Sequence, residues 1–182
     1  MNDVLDDAPT WNSGTCLVGR FRSTFKTEDL EADFRTVLDA GCSNGEVTME
    51  LSRIYPAAVV LGMELHEGRL PERKIVRNNN GGVVIFKQGN FYRIDRMVPP
   101  EIFDAIFAMN NLVLEDRLTL EQHRTIARNL NSVLTEGGYL FLSDSLDYVI
   151  LCKTGKGFRK ASVNSGFRRP LIYGKLSEAY GI

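Results

Sequence analysis

From Thr36 to Val163, short apolar runs alternate with stretches of helical spacing, and this alternation constrains the fold more than any other feature of the chain. Thr36–Ala40, Val59–Met63, Val83–Phe86, Phe103–Met109 and Tyr139–Ser143 each read as a buried strand. Between the first two, Val47, Leu51 and Ile54 share one face of a helix running from Glu46 to Tyr55. Asn44 or Ser43 is expected to cap its start, and Pro56 stops it. Pro71 suits the first turn of a further helix towards Arg77, and Asn78–Gly82 reads as a turn. Thr119-Leu-Glu-Gln122 fits a capping box. Leu120, Ile126, Ala127, Leu130, Val133 and Leu134 follow at helical spacing, with Gly137-Gly138 expected to end that helix. Alternating strands and helices imply a doubly wound α/β fold: a Rossmann-like, mostly parallel sheet with helices on both faces. The ending departs from the pattern. Tyr148–Cys152 and Phe158–Val163 flank Thr154-Gly-Lys-Gly157, which predicts an antiparallel hairpin and about seven strands in all.

The chain has 182 residues, which suits one domain. Residues 1–35 read as a lead-in holding a short helix at 28–35, residues 36–163 as the core, and residues 164–182 as a basic tail in which Leu171–Tyr173 is extended. Apolar residues make up 43% and charged ones 25%, the balance of a soluble globular protein rather than a disordered one. The apolar runs are too short for a membrane span, and no basic-then-apolar leader opens the sequence. Cys16, Cys42 and Cys152 are scattered, so neither a disulfide framework nor a spaced metal site is expected, and a reducing, cytoplasmic setting fits. The net charge of −1 hides an uneven spread. Residues 151–182 carry seven Lys/Arg against Glu178 alone, a net +6, which leaves −7 on the first 150. Such an end could meet nucleic acid or another anionic partner, but a solvated tail is the favoured reading.

Chemistry concentrates at the strand ends. The first strand runs into Gly41-Cys-Ser-Asn-Gly45 and then a helix, the arrangement that brings backbone amides close to a cofactor. The dinucleotide fingerprint is not met, because Ser43 stands at the middle glycine and Glu46-Val47 follow Gly45. Asp39 and Glu46 would repel a pyrophosphate, whereas the ammonium and sulfonium of S-adenosylmethionine would be drawn to them. Glu64 closes the second strand, where a carboxylate can accept hydrogen bonds from both hydroxyls of a ribose. Asn90 and Phe91 follow the third strand and are placed to meet an adenine by hydrogen bond and by packing. Met109-Asn-Asn111 ends the fourth, where a transferable methyl would face its acceptor.

These stretches carry a resemblance. Residues 36–143 resemble the class I S-adenosylmethionine-dependent methyltransferases. Within them, Ala40-Gly-Cys-Ser-Asn-Gly-Glu46, Phe103-Asp-Ala-Ile-Phe-Ala-Met-Asn110 and Glu136-Gly-Gly-Tyr-Leu-Phe-Leu-Ser143 are similar to the catalytic domain of chemotaxis receptor methyltransferases, which esterify protein glutamates. A hairpin ending in Gly157-Phe-Arg-Lys160 is also similar. The resemblance implies a cofactor site of Gly41, Ser43, Gly45, Glu46, Glu64, Asn90 and Asn110, and Asp39, Cys42, Leu65 and Phe91 join it by position. Met109 stands where that family usually has Arg, Leu114 where it has Tyr and Val47 where it has a second Glu, and the family's helical N-terminal domain has no counterpart before Thr36. The cofactor therefore carries over and the acceptor does not.

The expected activity is in-line transfer of a methyl from S-adenosylmethionine, leaving S-adenosylhomocysteine, to a small molecule or a protein side chain. No catalytic metal is required, and no residue stands out as a catalytic base. Tyr92, Asn111 and Asp144 are weak candidates on the acceptor side; His66 is a weaker one for the site, and His123 reads as structural. Two rivals remain: a non-catalytic protein that binds the same cofactor, and a nicotinamide-dependent oxidoreductase sharing the strand–loop–helix unit.

Overall fold

The computed structural model of the chain describes residues 17–25, 27–109, 118–144, 147–155, 157–163 and 170–181. Eight strands form one sheet in the order β3-β4-β2-β1-β5-β6-β7-β8. They are β1 (Thr36–Ala40), β2 (Val59–Glu64), β3 (Ile75–Arg77), β4 (Val83–Gln88), β5 (Phe103–Met109), β6 (Leu134–Asp144), β7 (Asp147–Thr154) and β8 (Gly157–Val163). The pairs β4-β2, β2-β1, β1-β5 and β5-β6 are parallel; β3 on one edge and β7 and β8 on the other are joined antiparallel. The doubly wound sheet and its terminal hairpin are as the alternation implies, with one strand more.

Helices α1 (Leu17–Thr24) and α2 (Glu46–Ile54) lie on one face; α3 (Leu120–Val133) and α4 (Pro170–Tyr180) lie on the other. Alternate residues of each strand feed two cores. Val37, Val60, Phe86, Phe107 and Phe141 pack with the α1–α2 side; Leu38, Ala40, Met63, Ile106 and Leu140 pack with the α3–α4 side. Each fully buried Val, Leu, Ile, Met or Phe side chain stabilises the fold by about 1.5–3 kcal/mol.

Four expectations are corrected. The lead-in holds a full helix, α1, whose Phe21 packs edge-on to Phe107 (5.8 Å) with Phe25 behind it; the short helix expected at 28–35 is a single 3₁₀ turn, Thr27–Leu30. No helix follows Pro71. Ile75-Val76 is β-branched and finds an open sheet edge, so it pairs with β4. The third helix ends at Val133, not at Gly137-Gly138: Leu134 is already extended, and five residues of β6 span what two of β5 span. Gly137, at φ 76, serves that irregularity. The tail is helical where an extended Leu171–Tyr173 was expected. Pro170 opens α4, and Leu176 and Tyr180, one turn apart, bury against α3. Arg124 pairs with Glu178 at 2.7 Å, and Lys175 Nζ donates to Leu118 O at 3.4 Å. Lys153, one of the cations counted over residues 151–182, is not solvated either: its buried ammonium donates to Leu134 O (2.7 Å) and pairs with Glu101 (3.1 Å).

The capping box stands as read, Thr119 Oγ1 accepting from Gln122 N and Gln122 Oε1 from Thr119 N. Among the described residues no helix is long and apolar enough to cross a membrane.

Candidate functional site

The chain reverses direction across the sheet at β1, whose neighbours are β2 and β5, so the carboxyl ends of β1, β2 and β4 open on one crevice. The loop after β1 is locked by backbone bonds. Gly41 N and Cys42 N both donate to Met63 O, at 2.8 and 3.0 Å. Gly41 and Gly45 sit at φ 77 and 82, a region that a side chain makes costly, and Ser43 at φ 50 shares it. Gly45 is the N-cap of α2, without a side-chain cap. Ser43 makes no cap; Asn44 stands one residue before the N-cap position, yet its side chain holds the first turn, Oδ1 accepting from Glu46 N at 3.4 Å and Nδ2 donating to Glu46 Oε1 at 3.0 Å. A Cβ on Gly45 would stand 2.5 Å from Phe86 Cε1, so the glycine lets α2 start hard against β4.

Glu64 is the hinge of the crevice. It is only 5% exposed, and both of its oxygens are held by backbone amides. Oε2 accepts from Ser43 N at 3.0 Å, and Oε1 from His66 N at 3.1 Å. One carboxylate thus ties the glycine loop to the segment after β2. Each oxygen keeps a second lone pair, the capacity needed to accept a hydroxyl as well.

Asp39 lies deeper, beneath α2, where Thr48 Oγ1 donates to Oδ2 at 2.6 Å. Burial pushes its carboxyl up to about 7; the Thr48 bond opposes the rise and the neighbouring charge of Glu64 adds to it. Thr48 escaped the sequence reading; its signal was a hydroxyl on the inner face of α2, nine residues after Asp39. Cys42 is buried in the α1–α2 core, and burial with the two nearby carboxylates holds its thiol far above the usual range, so it offers the crevice a backbone and not a nucleophile.

On the next strand, Asn90 caps a 3₁₀ segment, Phe91–Arg96, by accepting from Tyr92 N at 3.0 Å. Its Nδ2 is buried and has no hydrogen-bond partner among the described residues, and the same holds for His66 Nε2. Leu65 is half-buried, and its carbonyl accepts from Gln88 Nε2 at 3.2 Å. Phe91 and Tyr92 are both buried in the α3–α4 core, ring against ring at 4.5 Å. Glu46 is exposed in the first turn of α2, and Met109 is half-buried at the end of β5. Asn110, Asn111 and Leu114 lie outside the described residues, and of Asp144, the last residue of β6, only the backbone is described. His123 is buried in the first turn of α3, near enough to Lys175 of α4 to feel its charge, and neither ring nitrogen has a hydrogen-bond partner among the described residues. The described residues hold no cluster of three or more His, Cys, Asp or Glu placed for a metal.

Two buried carboxylates, Asp39 and Glu64, thus stand at the loop after β1, with two buried side-chain nitrogens beyond β2 and β4 that have no partner among the described residues. Residues 37–138 match the family described as Methyltransferase domain. The chain belongs to that family. In this methyltransferase domain the matched stretch runs from β1 to the irregularity in β6, through every loop of the crevice. Two solved structures share the fold. One is a SAM-dependent methyltransferase from Methanosarcina mazei (20% identity, TM-score 0.50), covering 63% of this chain and 54% of that one. The other, described as S-adenosylmethionine dependent, is from Listeria monocytogenes (21% identity, TM-score 0.51), covering 69% and 54%. The chain spans about half the length of either protein. No curated protein sequence matches it significantly.

Proposed function

We propose that this methyltransferase domain binds S-adenosylmethionine across the ends of β1, β2 and β4 and transfers its methyl to a small molecule or a protein side chain, releasing S-adenosylhomocysteine. The observation that carries the reading is Glu64, a buried carboxylate held by Ser43 N and His66 N. In this reading it takes ribose hydroxyls on the lone pairs that the two amides leave. In this reading Asp39, the loop Gly41–Gly45 with Cys42 and Ser43, and Glu46 serve the methionyl end, and Leu65, Asn90 and Phe91 serve the adenine. Asn110 joins the set through the likeness of its strand to chemotaxis receptor methyltransferases.

When bound, the cofactor supplies an electrophilic methyl on a sulfonium. The chain's own residues supply position and charge. Asp39 and Glu64 attract the cation, and their burial strengthens that attraction. The locked loop fixes the methionyl end, so that an acceptor entering at the ends of β5 and β6 would meet the methyl in line. Met109 and Leu114, which replace the Arg and Tyr of the chemotaxis enzymes, point to an acceptor other than a receptor glutamate.

Calorimetric titration with S-adenosylmethionine and with NAD tests the reading. Binding of the first and not the second is expected; failure to bind S-adenosylmethionine at millimolar concentration rejects it. Transfer of a labelled methyl to candidate acceptors then separates an enzyme from a non-catalytic binder.

A further inference from the structure

The two residues with unclaimed nitrogens beyond β2 and β4 stand at equivalent places in the register. Pairing of β2 with β4 runs in constant register and ends at Glu64↔Gln88. The chains stay together past that rung, Gly89 N donating to Glu64 O at 2.9 Å and Gln88 Nε2 to Leu65 O at 3.2 Å. Two residues further on, one strand reaches His66 and the other Asn90. Each carries a buried nitrogen, Nε2 and Nδ2, with no partner among the described residues. Both residues are anchored. Asn90 Oδ1 accepts from Tyr92 N, which identifies the unclaimed atom as the amide NH₂. His66 is held through its N, to Glu64, and its O, from Arg69 N at 3.0 Å. A buried polar atom left unpaired calls for an explanation, and two at matching positions call for a common one.

We propose that His66 is a specificity-determining residue for the cofactor, reading the amino edge of adenine together with Asn90. The inference rests on the proposal that the crevice holds S-adenosylmethionine. Adenine presents an N6–H donor beside the N1 acceptor. A neutral imidazole protonated on Nδ1 offers Nε2 as an acceptor, and an amide NH₂ can only donate. The pair therefore offers one acceptor and one donor from neighbouring strand ends, His66 taking N6–H and Asn90 giving to N1. A 6-oxopurine carries a carbonyl at C6 and a hydrogen on N1. It removes the donor that His66 needs and sets N1–H against the Asn90 NH₂. Sites that hydrogen-bond a group discriminate strongly against analogues without it.

The chain has two histidines, His66 and His123, so their ring nitrogens are simple to assign by ¹⁵N spectroscopy. Adding S-adenosylhomocysteine to the whole chain should shift His66 Nε2 in the direction of a hydrogen-bond acceptor and leave His123 in place; S-inosylhomocysteine should not produce the shift. In calorimetry, His66→Ala should weaken S-adenosylhomocysteine about tenfold, the loss of one net hydrogen bond, and leave S-inosylhomocysteine unchanged. His66→Gln, whose carbonyl can still accept, should recover part of the loss. An unshifted His66, or equal weakening of the two ligands, overturns the proposal while the cofactor reading stands. A wild-type chain that does not bind S-adenosylhomocysteine overturns the cofactor reading and the proposal with it.

Discussion

Thr48 Oγ1 donates to Asp39 Oδ2 across 2.6 Å, inside the protein and beneath the first turns of α2. The bond makes a hydroxyl the partner of a carboxyl that burial holds near neutrality. Because the folded value of about 7 exceeds the ordinary 3.8, the native chain binds more protons than the unfolded one between those values. Stability contributed by Asp39 is then greatest at low pH and declines as pH rises from about 4 to about 7. A cationic ligand favours the charged form, so binding near pH 6.5 should expel a proton. Calorimetry in buffers of different ionisation enthalpy measures that release. Thr48→Val should enlarge it, because Asp39 loses the bond that stabilises its anion; no proton release from either chain would refute the assignment.

Glu64→Gln keeps the size of the side chain but sets an amide NH₂ against one of the two backbone donors, Ser43 N or His66 N. Glu64→Ala leaves both without the carboxylate. The alanine variant should lose about 1–3 kcal/mol of affinity for S-adenosylhomocysteine. Unchanged affinity would exclude Glu64 from the ribose.

Gly45→Ala places a methyl 2.5 Å from Phe86 Cε1 at a φ of 82. Left-handed strain alone costs about 1–2 kcal/mol, and the ring contact adds to it. Urea unfolding should show the loss. Adding Phe86→Leu should return part of it, since the ring is one source of the conflict.

His123 gives a pH dependence of opposite sign. Burial first, and the ammonium of Lys175 second, lower its pKa from 6.5. The unfolded chain therefore takes up the proton first, and stability falls as pH drops below about 6.5. His123→Leu should flatten that acid limb, leaving the slope of Asp39 alone. An unchanged limb would mean that His123 can charge within the folded chain.

The docking of α4 should depend on burial and not on its ion pair. Leu176→Ala should cost about 2–5 kcal/mol, whereas Arg124→Ala, which removes a half-exposed partner of Glu178, should cost about 1 kcal/mol or less. Hydrogen exchange of α4 compares the two.

Legibility from sequence followed local pattern. β1 and β5 were readable to the residue because each is a short, mostly apolar run, broken by a single aspartate and followed by a glycine or an asparagine. The capping box was readable because both of its bonds lie within four residues. β3 was not: three residues with exposed Ile75 gain their form from the edge of β4, and no period in the sequence records that. α4 was hidden because its burial rests on Leu176 and Tyr180, with Gly174 between Pro170 and the last turns. In the crevice, Asp39, Gly41, Gly45, Glu64 and Asn90 could be placed by counting from strand ends. Thr48 as a partner, the two amides on Glu64 and the idle nitrogen of His66 are tertiary facts, visible only once β1, β2 and β4 lie side by side.

The register of those strands has one more consequence. β1 meets β2 at an offset of 23 residues and β2 meets β4 at 24, so the parts proposed to cradle the adenosyl group, from Asp39 to Phe91, come from one unbroken stretch joined by short closures. Closures of that length cost little chain entropy. The helix that fixes the carbonyl of Leu118, by contrast, comes from the last dozen residues. The proposed donor pocket and the cover of α3 are thereby written on separate lengths of polypeptide. Changes confined to α4 should alter how α3 is held while the affinity for S-adenosylhomocysteine stays as it is.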